Sequence, residues 1–419
     1  VWLLLMLKAI RKLASNQCDF PSMIACISIF LRLLVINIDK RNTTKIPSIS
    51  YIVTIAISLS YTYVYLVSAI WFVFWYCQET GQKIPAIVVF SLSIASEIAV
   101  YKLIFLYIYS DTVRSIVEGY ISLDAEATSN SRTAYNLLSH LRIVKRRAVI
   151  FWCIIISNGL LYFSKPIILP GRHLMEDDFV LFGLDPIFES PNYEIAFATC
   201  ALSIFFTCYL TSNISVLLIV ITGYTEAQLL TLSEELANLW DDAVKHIMSQ
   251  HRDDSSIESN QTPHTEEENK LINTFIYERL VKIIKCHITN INLIKQVEMI
   301  FNGAIGMEFL LLIVSLIAEL LGGLENTYME LPFALIQVTM DCIIGQRLID
   351  ACNVFSHAVY SCKWENFDLR NAKIVLLMLR NAQKTLYLSA GGITMLSFVC
   401  LMSVFRSIYS AYTTLRSTI

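Results

Sequence analysis

Residues 195–225 read IAFATCALSIFFTCYLTSNISVLLIVITGYT and contain no charged side chain. About 20 consecutive apolar residues are enough to cross a lipid bilayer as a helix. A segment this long and this free of charge is typical of a membrane helix and not of a soluble domain. It predicts that the chain is embedded in a membrane.

The composition of the whole chain agrees with that segment. Of its 419 residues, 55% are hydrophobic and 16% are charged, and the mean hydropathy is +0.56. Soluble domains usually have about 25% charged residues. The net charge of −3 gives no basic surface for nucleic acid, so no nucleic-acid partner is expected.

Motifs for catalysis and metal binding are lacking in this sequence. The eleven cysteines form no C-x-x-C pair, so neither a zinc site nor a disulfide framework is indicated. There is no phosphate-binding glycine loop, no G-x-S-x-G and no H-E-x-x-H. We therefore expect no enzyme activity, no metal and no cofactor.

Seven apolar segments follow one another and predict an all-α membrane protein with seven transmembrane helices. The third and sixth are short, so we expect them to extend past their flanking charges. A further apolar segment, Met23–Ile38, is interrupted by Arg32 and predicts an interfacial or buried amphipathic helix. The seven predicted spans are 46–78, 84–110, 148–164, 195–225, 299–318, 331–346 and 385–415.

The distribution of Lys and Arg predicts the orientation. Nineteen lie before span one, between spans two and three, and between spans six and seven, against four in the other short loops and the tail. Because an excess of Lys and Arg marks the cytoplasmic side, we expect a cytoplasmic N-terminus and an extracellular C-terminus.

These spans divide the chain into six segments. The outer loop at 165–194 carries six acidic residues and is either a small folded lid over an entrance or a solvated surface loop. Residues 249–269 are polar and acidic and predict a disordered linker. The segments are a cytoplasmic N-terminal region at 1–45, spans one to four at 46–225, cytoplasmic helices with the linker at 226–298, spans five and six at 299–346, cytoplasmic anchor helices at 347–384, and span seven with a short extracellular tail at 385–419.

Two stretches predict long helices that extend beyond the membrane. No proline interrupts Lys270–Glu330, so one helix of nearly fifty residues, roughly 75 Å, is possible there. Trp364–Leu386 repeats the amphipathic pattern. Such helices need a partner, and the pattern favours oligomerisation and packing within one chain about equally.

Charged side chains inside predicted spans are costly and usually face a cavity or a partner. Either a functional role or structural pairing inside the bundle accounts for them, and we favour pairing. The residues are Glu97, Lys102, Glu308, Asp341 and Arg406.

The last span carries a stripe of small and hydroxylated residues at helical spacing. Such a stripe suits close helix packing or a pore wall. The pattern alone favours packing. The stripe consists of Ser403, Ser407, Ser410, Ala411 and Thr414.

Two stretches resemble the insect odorant receptors, and within them the odour-tuning subunits. One is Ser190-Pro191-Asn192-Tyr193-Glu194-Ile195 at the entry to span four. The other runs from Gly345 to Arg416 and includes Tyr360, Trp364, Ala382-Gln383-Lys384, Ala390-Gly391 and Tyr409-Ser410. The seven spans, the orientation and the short tail agree with this resemblance.

The resemblance implies an odour-gated, non-selective cation channel in the plasma membrane of sensory neurons. The channel would be a tetramer that pairs tuning subunits with a shared co-receptor and contacts membrane lipid, with a central cytoplasmic anchor. It also implies that the last span lines the pore, which reverses the preference for packing. Arg406 on this helix would repel cations if it reached the lumen. The expected pore-lining residues are Ser403, Ser407, Ala411 and Thr414.

The resemblance further implies a ligand pocket between spans two, three, four and six, in the outer half of the membrane. The side chains there fit a small, volatile, mainly apolar ligand. No acid is well placed to specify an amine, except Glu97. The expected contacts are Phe90, Ser91, Ile94, Ile155, Asn158, Tyr162, Phe197, Cys200, Ala201, Phe206, Phe333, Ile336, Gln337 and Met340.

Two alternatives stay open. A gustatory-type receptor channel would act without a co-receptor. A transporter would show repeated halves and broken helices, and no convincing internal repeat is present.

Overall fold

The computed structural model describes residues 17–43, 45–126, 131–254 and 266–417, apart from the side chains of 250–254. The described part is helical except for loops and one two-stranded hairpin. Its helices are α1 (Phe20–Leu33), α2 (Ser48–Thr80, with π-helical turns at Thr62–Ser68 and Phe72–Tyr76), α3 (Lys83–Ile108), α4 (Ser110–Ala125), α5 (Arg132–Ile168), α6 (Asn192–Ala237), α7 (Leu239–Asp254), α8 (Glu266–Gly322), α9 (Leu324–Thr327), α10 (Leu331–Tyr360), α11 (Leu369–Ala382, after a 3₁₀ turn at Trp364–Asn366) and α12 (Phe398–Arg416), and its strands are β1 (Ser389–Ala390) and β2 (Thr394–Met395).

The predicted all-α membrane architecture is confirmed. Among the described residues, α2, α3, α5, α6 and α8 are long and apolar enough to cross a membrane. The other two predicted spans lie on α10 and α12, which are long enough but less apolar than these five helices. α10 has 30 residues and contains Asp341, Arg347 and Asp350, and α12 has 19 residues and contains Arg406.

Helix α6 is the centre of the bundle. Its most apolar stretch is 94% buried, whereas the corresponding stretches of α2 and α5 are 28% buried. α6 packs against α5, α10, α2, α1 and α3. The outer helices expose apolar side chains such as Ile52 and Leu160, as expected of a surface that faces lipid.

Helix α1 is buried. The sequence pattern had left open whether it would be an interfacial or a buried helix. Its N-terminus is capped by Asp19, whose carboxylate accepts a hydrogen bond from the Ser22 backbone N–H at 3.0 Å. Phe30 and Leu31 are buried, and the Tyr209 hydroxyl of α6 donates to the Phe30 carbonyl at 3.0 Å. The helix ends at Leu33, before the predicted end at Ile38.

The predicted long helix is confirmed as α8, which has 57 residues. Residues 255–265 of the predicted linker lie outside the described residues, and its two ends are helical, in α7 and α8. Within Trp364–Leu386 the helix begins only at Leu369, because the side chain of Asp368 caps it there through the Asn371 N–H.

The prediction that span seven begins at residue 385 is wrong. Residues 389–395 form the β-hairpin, and Gly391 and Gly392 have φ angles of 64° and 71° at its turn. Gly391 approaches α8 closely, because its N–H donates to the Asn302 carbonyl at 2.8 Å. A Cβ on Gly306 would come 2.7 Å from the Gly391 backbone. The helix therefore begins after Ser397, whose side chain caps it.

The outer loop between α5 and α6 is packed and resembles the folded lid more than a solvated loop. Leu174, Phe179 and Leu181 are buried within it. Tyr63 of α2 donates a hydrogen bond to the Phe182 carbonyl at 2.7 Å. The loop is thereby fixed to the middle of α2.

Candidate ligand cavity and buried charge cluster

A cavity lies between α2, α3, α5, α6 and the start of α10, beneath this loop. Its volume is about 50 Å³, which is below the roughly 300–1,000 Å³ of typical ligand pockets. Its walls are mostly aromatic and aliphatic. The lining residues are Tyr65, Leu92, Ala95, Ser96, Asn158, Gly159, Tyr162, Ile204, Thr207, Cys208, Met329, Glu330 and Phe333.

Glu330 is the acid in the cavity wall. It is 6% exposed, and its Oε1 has no hydrogen-bond partner among the described residues. Its Oε2 lies 3.1 Å from the Ser91 hydroxyl. That hydroxyl also donates to the Val88 carbonyl at 2.7 Å, so its one proton serves two acceptors. A buried carboxylate is stabilised when it accepts two or three hydrogen bonds. Glu330 shares the single proton of Ser91 with a backbone carbonyl.

Other polar groups of the cavity offer acceptors. The hydroxyl protons of Ser96 and Thr207 go to backbone carbonyls of their own helices, at 2.7 and 3.0 Å. The Asn158 Nδ2 donates to the Met329 carbonyl at 3.0 Å, which leaves the amide oxygen able to accept. The cavity therefore suits a ligand that donates hydrogen bonds.

Further acids surround Glu330. The Tyr162 hydroxyl donates to Glu176 of the outer loop, and Glu319 accepts from Ser315 at 2.9 Å. Burial, reinforced by Glu176 and Glu319, raises the pKa of Glu330 well above its ordinary value. Lys165 opposes this shift, and its ammonium donates to the Met175 carbonyl at 2.8 Å.

The structure brings together some of the fourteen expected contacts. Asn158, Tyr162 and Phe333 line the cavity, and Ser91 contacts Glu330. Eleven of the fourteen are absent from the lining, namely Ser91 and also Phe90, Ile94, Ile155, Phe197, Cys200, Ala201, Phe206, Ile336, Gln337 and Met340.

The reasons for these placements differ. Phe90 points outward and is 36% exposed. The ring of Phe197 packs against Phe163, with centroids 5.7 Å apart, and that of Phe206 packs against Tyr61 at the same separation. Gln337 belongs to a different cluster, described next.

Sequence reasoning missed two lining residues of consequence. Tyr65 lies on span one, which was not expected to contribute. Glu330 lies in the connection before span six, so a search of helical faces passed over it. Glu97, the acid considered from the sequence, is absent from the lining.

A second group of buried polar residues, the charge cluster, joins α3, α6, α8 and α10 and consists of Lys102, Ser215, Glu308, Gln337 and Asp341. The Lys102 ammonium lies 2.6 Å from Glu308 Oε1 and donates to Ser215 Oγ at 2.8 Å and to Gln337 Oε1 at 3.2 Å. Asp341 interacts electrostatically with Glu308 and Lys102. The predicted pairing of charges inside the bundle is confirmed for Lys102 and Glu308.

Free space beside the charge cluster is minimal. The void that Lys102 and Glu308 line has a volume of about 10 Å³, which is the lower limit for one water molecule. The cluster therefore holds its helices together and has no room for a ligand.

Helix α12 packs against the bundle through only one of its faces. Cys400, Val404 and Ile408 are buried against the bundle. Ser403, Ser407 and Thr414 are exposed, Ala411 is half-buried, and Arg406 is exposed as well. The expected pore-lining residues thus lie away from the body of the chain.

Comparison with known proteins identifies the family. The sequence matches the profile of the 7tm odorant receptor family over residues 82–409. Odorant receptor 85d of Drosophila melanogaster is 26% identical over 148 residues, which cover 33% of this chain and 36% of that protein. The match thus spans about a third of the length of this curated relative.

Two solved structures share the fold. The insect olfactory receptor OR5 of Machilis hrabei superimposes with a TM-score of 0.71 at 12% identity, covering 94% of this chain and 97% of its own. The same receptor in complex with eugenol gives a TM-score of 0.70 at 12% identity, covering 96% and 100%. Together with the profile match, these findings show that the chain belongs to the 7tm odorant receptor family, whose members are membrane receptors of olfaction and not enzymes.

Proposed function

We propose that this protein is the odour-binding subunit of a ligand-gated, non-selective cation channel. The observation that carries the proposal is the family match over residues 82–409. The channel is a hetero-tetramer with a shared co-receptor in the plasma membrane of sensory neurons. The N-terminus is cytoplasmic, as the distribution of Lys and Arg predicts.

The ligand is a small, volatile, mainly apolar molecule bound in the cavity. Support comes from the apolar walls and from the structural relative that was solved with eugenol. Because the cavity is only about 50 Å³, side chains must move apart when a ligand enters. Binding then favours the expanded conformation and shifts the equilibrium between closed and open channels.

The pore is formed by α12 from each subunit. Its exposed face, with Ser403, Ser407 and Thr414, is not covered by the part of the chain that the structure describes, so neighbouring subunits are able to enclose it. Ala411 completes the lining. The outer faces of α2 and α5 contact lipid.

Recording whole-cell current during odour exposure tests this function. Cells express the chain with the co-receptor, the chain alone, or the co-receptor alone. We expect odour-evoked current only when both are present. Current from the chain alone would indicate a self-sufficient, gustatory-type channel, and saturable uptake without conductance would indicate a transporter.

A further inference from the structure

Glu330 is a buried acid that lacks a cationic partner such as the one that the charge cluster supplies to Glu308. Both acids are at least nine-tenths buried. Glu308 has an ammonium group 2.6 Å away. Glu330 lines a cavity, and the Ser91 hydroxyl beside it shares its one proton between Glu330 and the Val88 carbonyl. Ionising a carboxyl group in this position is costly without a cation, and for that reason its pKa is raised; a bound cation favours the ionised form.

The charge cluster shows how this bundle binds an ammonium group. Lys102 is held by a carboxylate, a serine hydroxyl and a side-chain amide oxygen. The cavity wall presents two of these groups, the carboxyl group of Glu330 and the amide of Asn158, and the Ser91 hydroxyl contacts Glu330 from outside the lining. Asn158 is tied to Met329, the residue before Glu330, so the amide and the carboxylate share one wall. Among the described residues, no ammonium or guanidinium group pairs with Glu330 Oε1 as Lys102 pairs with Glu308.

We propose that the cavity recognises a small amine, whose ammonium group binds the carboxylate of Glu330. This inference rests on the proposed function, because it takes the cavity to be the odorant site. The ammonium group donates to Glu330 Oε1 and to the amide oxygen of Asn158, while the alkyl part of the ligand contacts Leu92, Ile204 and Phe333. The small volume favours a short chain, because a longer one requires the side chains around it to move further apart.

A neutral alcohol fits the cavity less well. An alcohol has one proton to donate, whereas the cavity offers the Glu330 carboxylate and the Asn158 oxygen as acceptors. An ammonium group has three protons to donate and neutralises the charge of the ionised Glu330, whereas a neutral hydroxyl leaves that charge buried. An amine therefore gains more than the alcohol of equal size.

Dose–response curves for a matched series of ligands test the proposal. Cells express the chain with the co-receptor, and the ligands are n-butylamine, butan-1-ol and pentane. We expect butylamine to act at a concentration at least about tenfold lower than butan-1-ol, which corresponds to about 1.4 kcal/mol. The variant Glu330→Gln is expected to abolish that preference while keeping the weaker response to butan-1-ol.

Glu97→Gln is the control, because Glu97 is an acid of α3 with a buried Oε1 that neither lines the cavity nor contributes to the pKa shift of Glu330. It is expected to keep the preference for the amine. Equal potency of amine and alcohol in the unmodified receptor, or an undiminished preference in Glu330→Gln, would overturn the proposal. Surface labelling verifies delivery of each variant.

A binding measurement keeps the test decisive if Glu330→Gln does not reach the surface. The purified unmodified complex is heated with butylamine or with butan-1-ol at equal concentration. Greater thermal stabilisation by the amine supports the proposal, and equal or smaller stabilisation overturns it. Silence towards the whole series, together with current evoked by unrelated odours, rejects only the amine; silence towards every odour rejects the proposed function.

Discussion

Buried carboxylates occur in two regions of the bundle, and they are partnered differently. In the charge cluster, Glu308 and Asp341 surround Lys102, and the free space is about 10 Å³. At the cavity, Glu330 forms no ion pair with any described residue and borders about 50 Å³ of open space. An acid that is paired with a cation in a closed site stabilises the helices around it, whereas an acid without such a partner at a cavity is available to a ligand.

The largest effect is expected from removing the cation of the charge cluster. Lys102→Met leaves the carboxylates of Glu308 and Asp341 buried without a partner, which typically costs about 3–5 kcal/mol. We expect surface delivery, measured by biotinylation, to be nearly lost, and partial recovery when Glu308→Gln is added. Lys83→Met, at an exposed lysine, is the control. Normal surface delivery of Lys102→Met would show that the paired charges of the cluster do not stabilise the helices around them.

A second comparison adds one methyl group to each region. A Cβ on Gly159 would meet the Cys208 sulfur at 2.9 Å and enter the cavity, whereas one on Gly303 would meet the Phe105 ring at 3.2 Å beside the charge cluster. Gly159→Ala is expected to raise the half-maximal ligand concentration about tenfold, or about 1.4 kcal/mol. Gly303→Ala should leave it unchanged. Equal shifts would contradict the assignment of the cavity.

The two serine hydroxyls allow a finer comparison. Ser91→Ala removes the hydrogen bond to Glu330, and Ser215→Ala removes one of three acceptors around Lys102. We expect Ser91→Ala to lower sensitivity to the amine about threefold. Ser215→Ala should lower stability by about 1 kcal/mol without altering sensitivity. Dose–response curves and thermal melts of the same preparations distinguish the two outcomes.

The smallest effect at neutral pH is expected at His287, on the part of α8 before predicted span five. Burial lowers the pKa of His287 from 6.5 to about 4, and neither ring nitrogen has a hydrogen-bond partner among the described residues. The unfolded chain therefore binds a proton first, so stability is lost as pH falls from 6.5 towards 4. His287→Phe, which keeps the ring beside Phe355, should reduce the loss. Melting temperatures of the unmodified protein and of His287→Phe at pH 7.5 and 5.5 check this. An equal decrease in both proteins would contradict the prediction.

Helices were predictable from the sequence where one continuous segment determines them. The uninterrupted Lys270–Glu330 predicted α8, and the charge-free 195–225 predicted the central helix. The start of span seven was wrong because hydropathy does not distinguish an apolar hairpin from a helix. The pair Gly391-Gly392, which adopts positive φ at the turn, was the available signal.

The cavity was harder to predict because it depends on contacts between distant segments. Periodicity places Asn158 and Tyr162 on the right face of α5, but nothing local indicates that Tyr65 of α2 lies opposite. Glu330 lies in a connection, where acidic residues are usually solvated, and only the packing of α3 against α8 and α10 buries it. The pairing of Lys102 with Glu308 likewise needed the tertiary structure to choose one partner among several intramembrane charges.

The most direct test is a structure of the receptor complex with an activating small amine, determined by electron cryomicroscopy. Our account predicts ligand density in the cavity, with its polar end within hydrogen-bond distance of Glu330 and Asn158, and an unchanged Lys102–Glu308 pair. Density at another site, or a ligand whose polar end points away from Glu330, would contradict it.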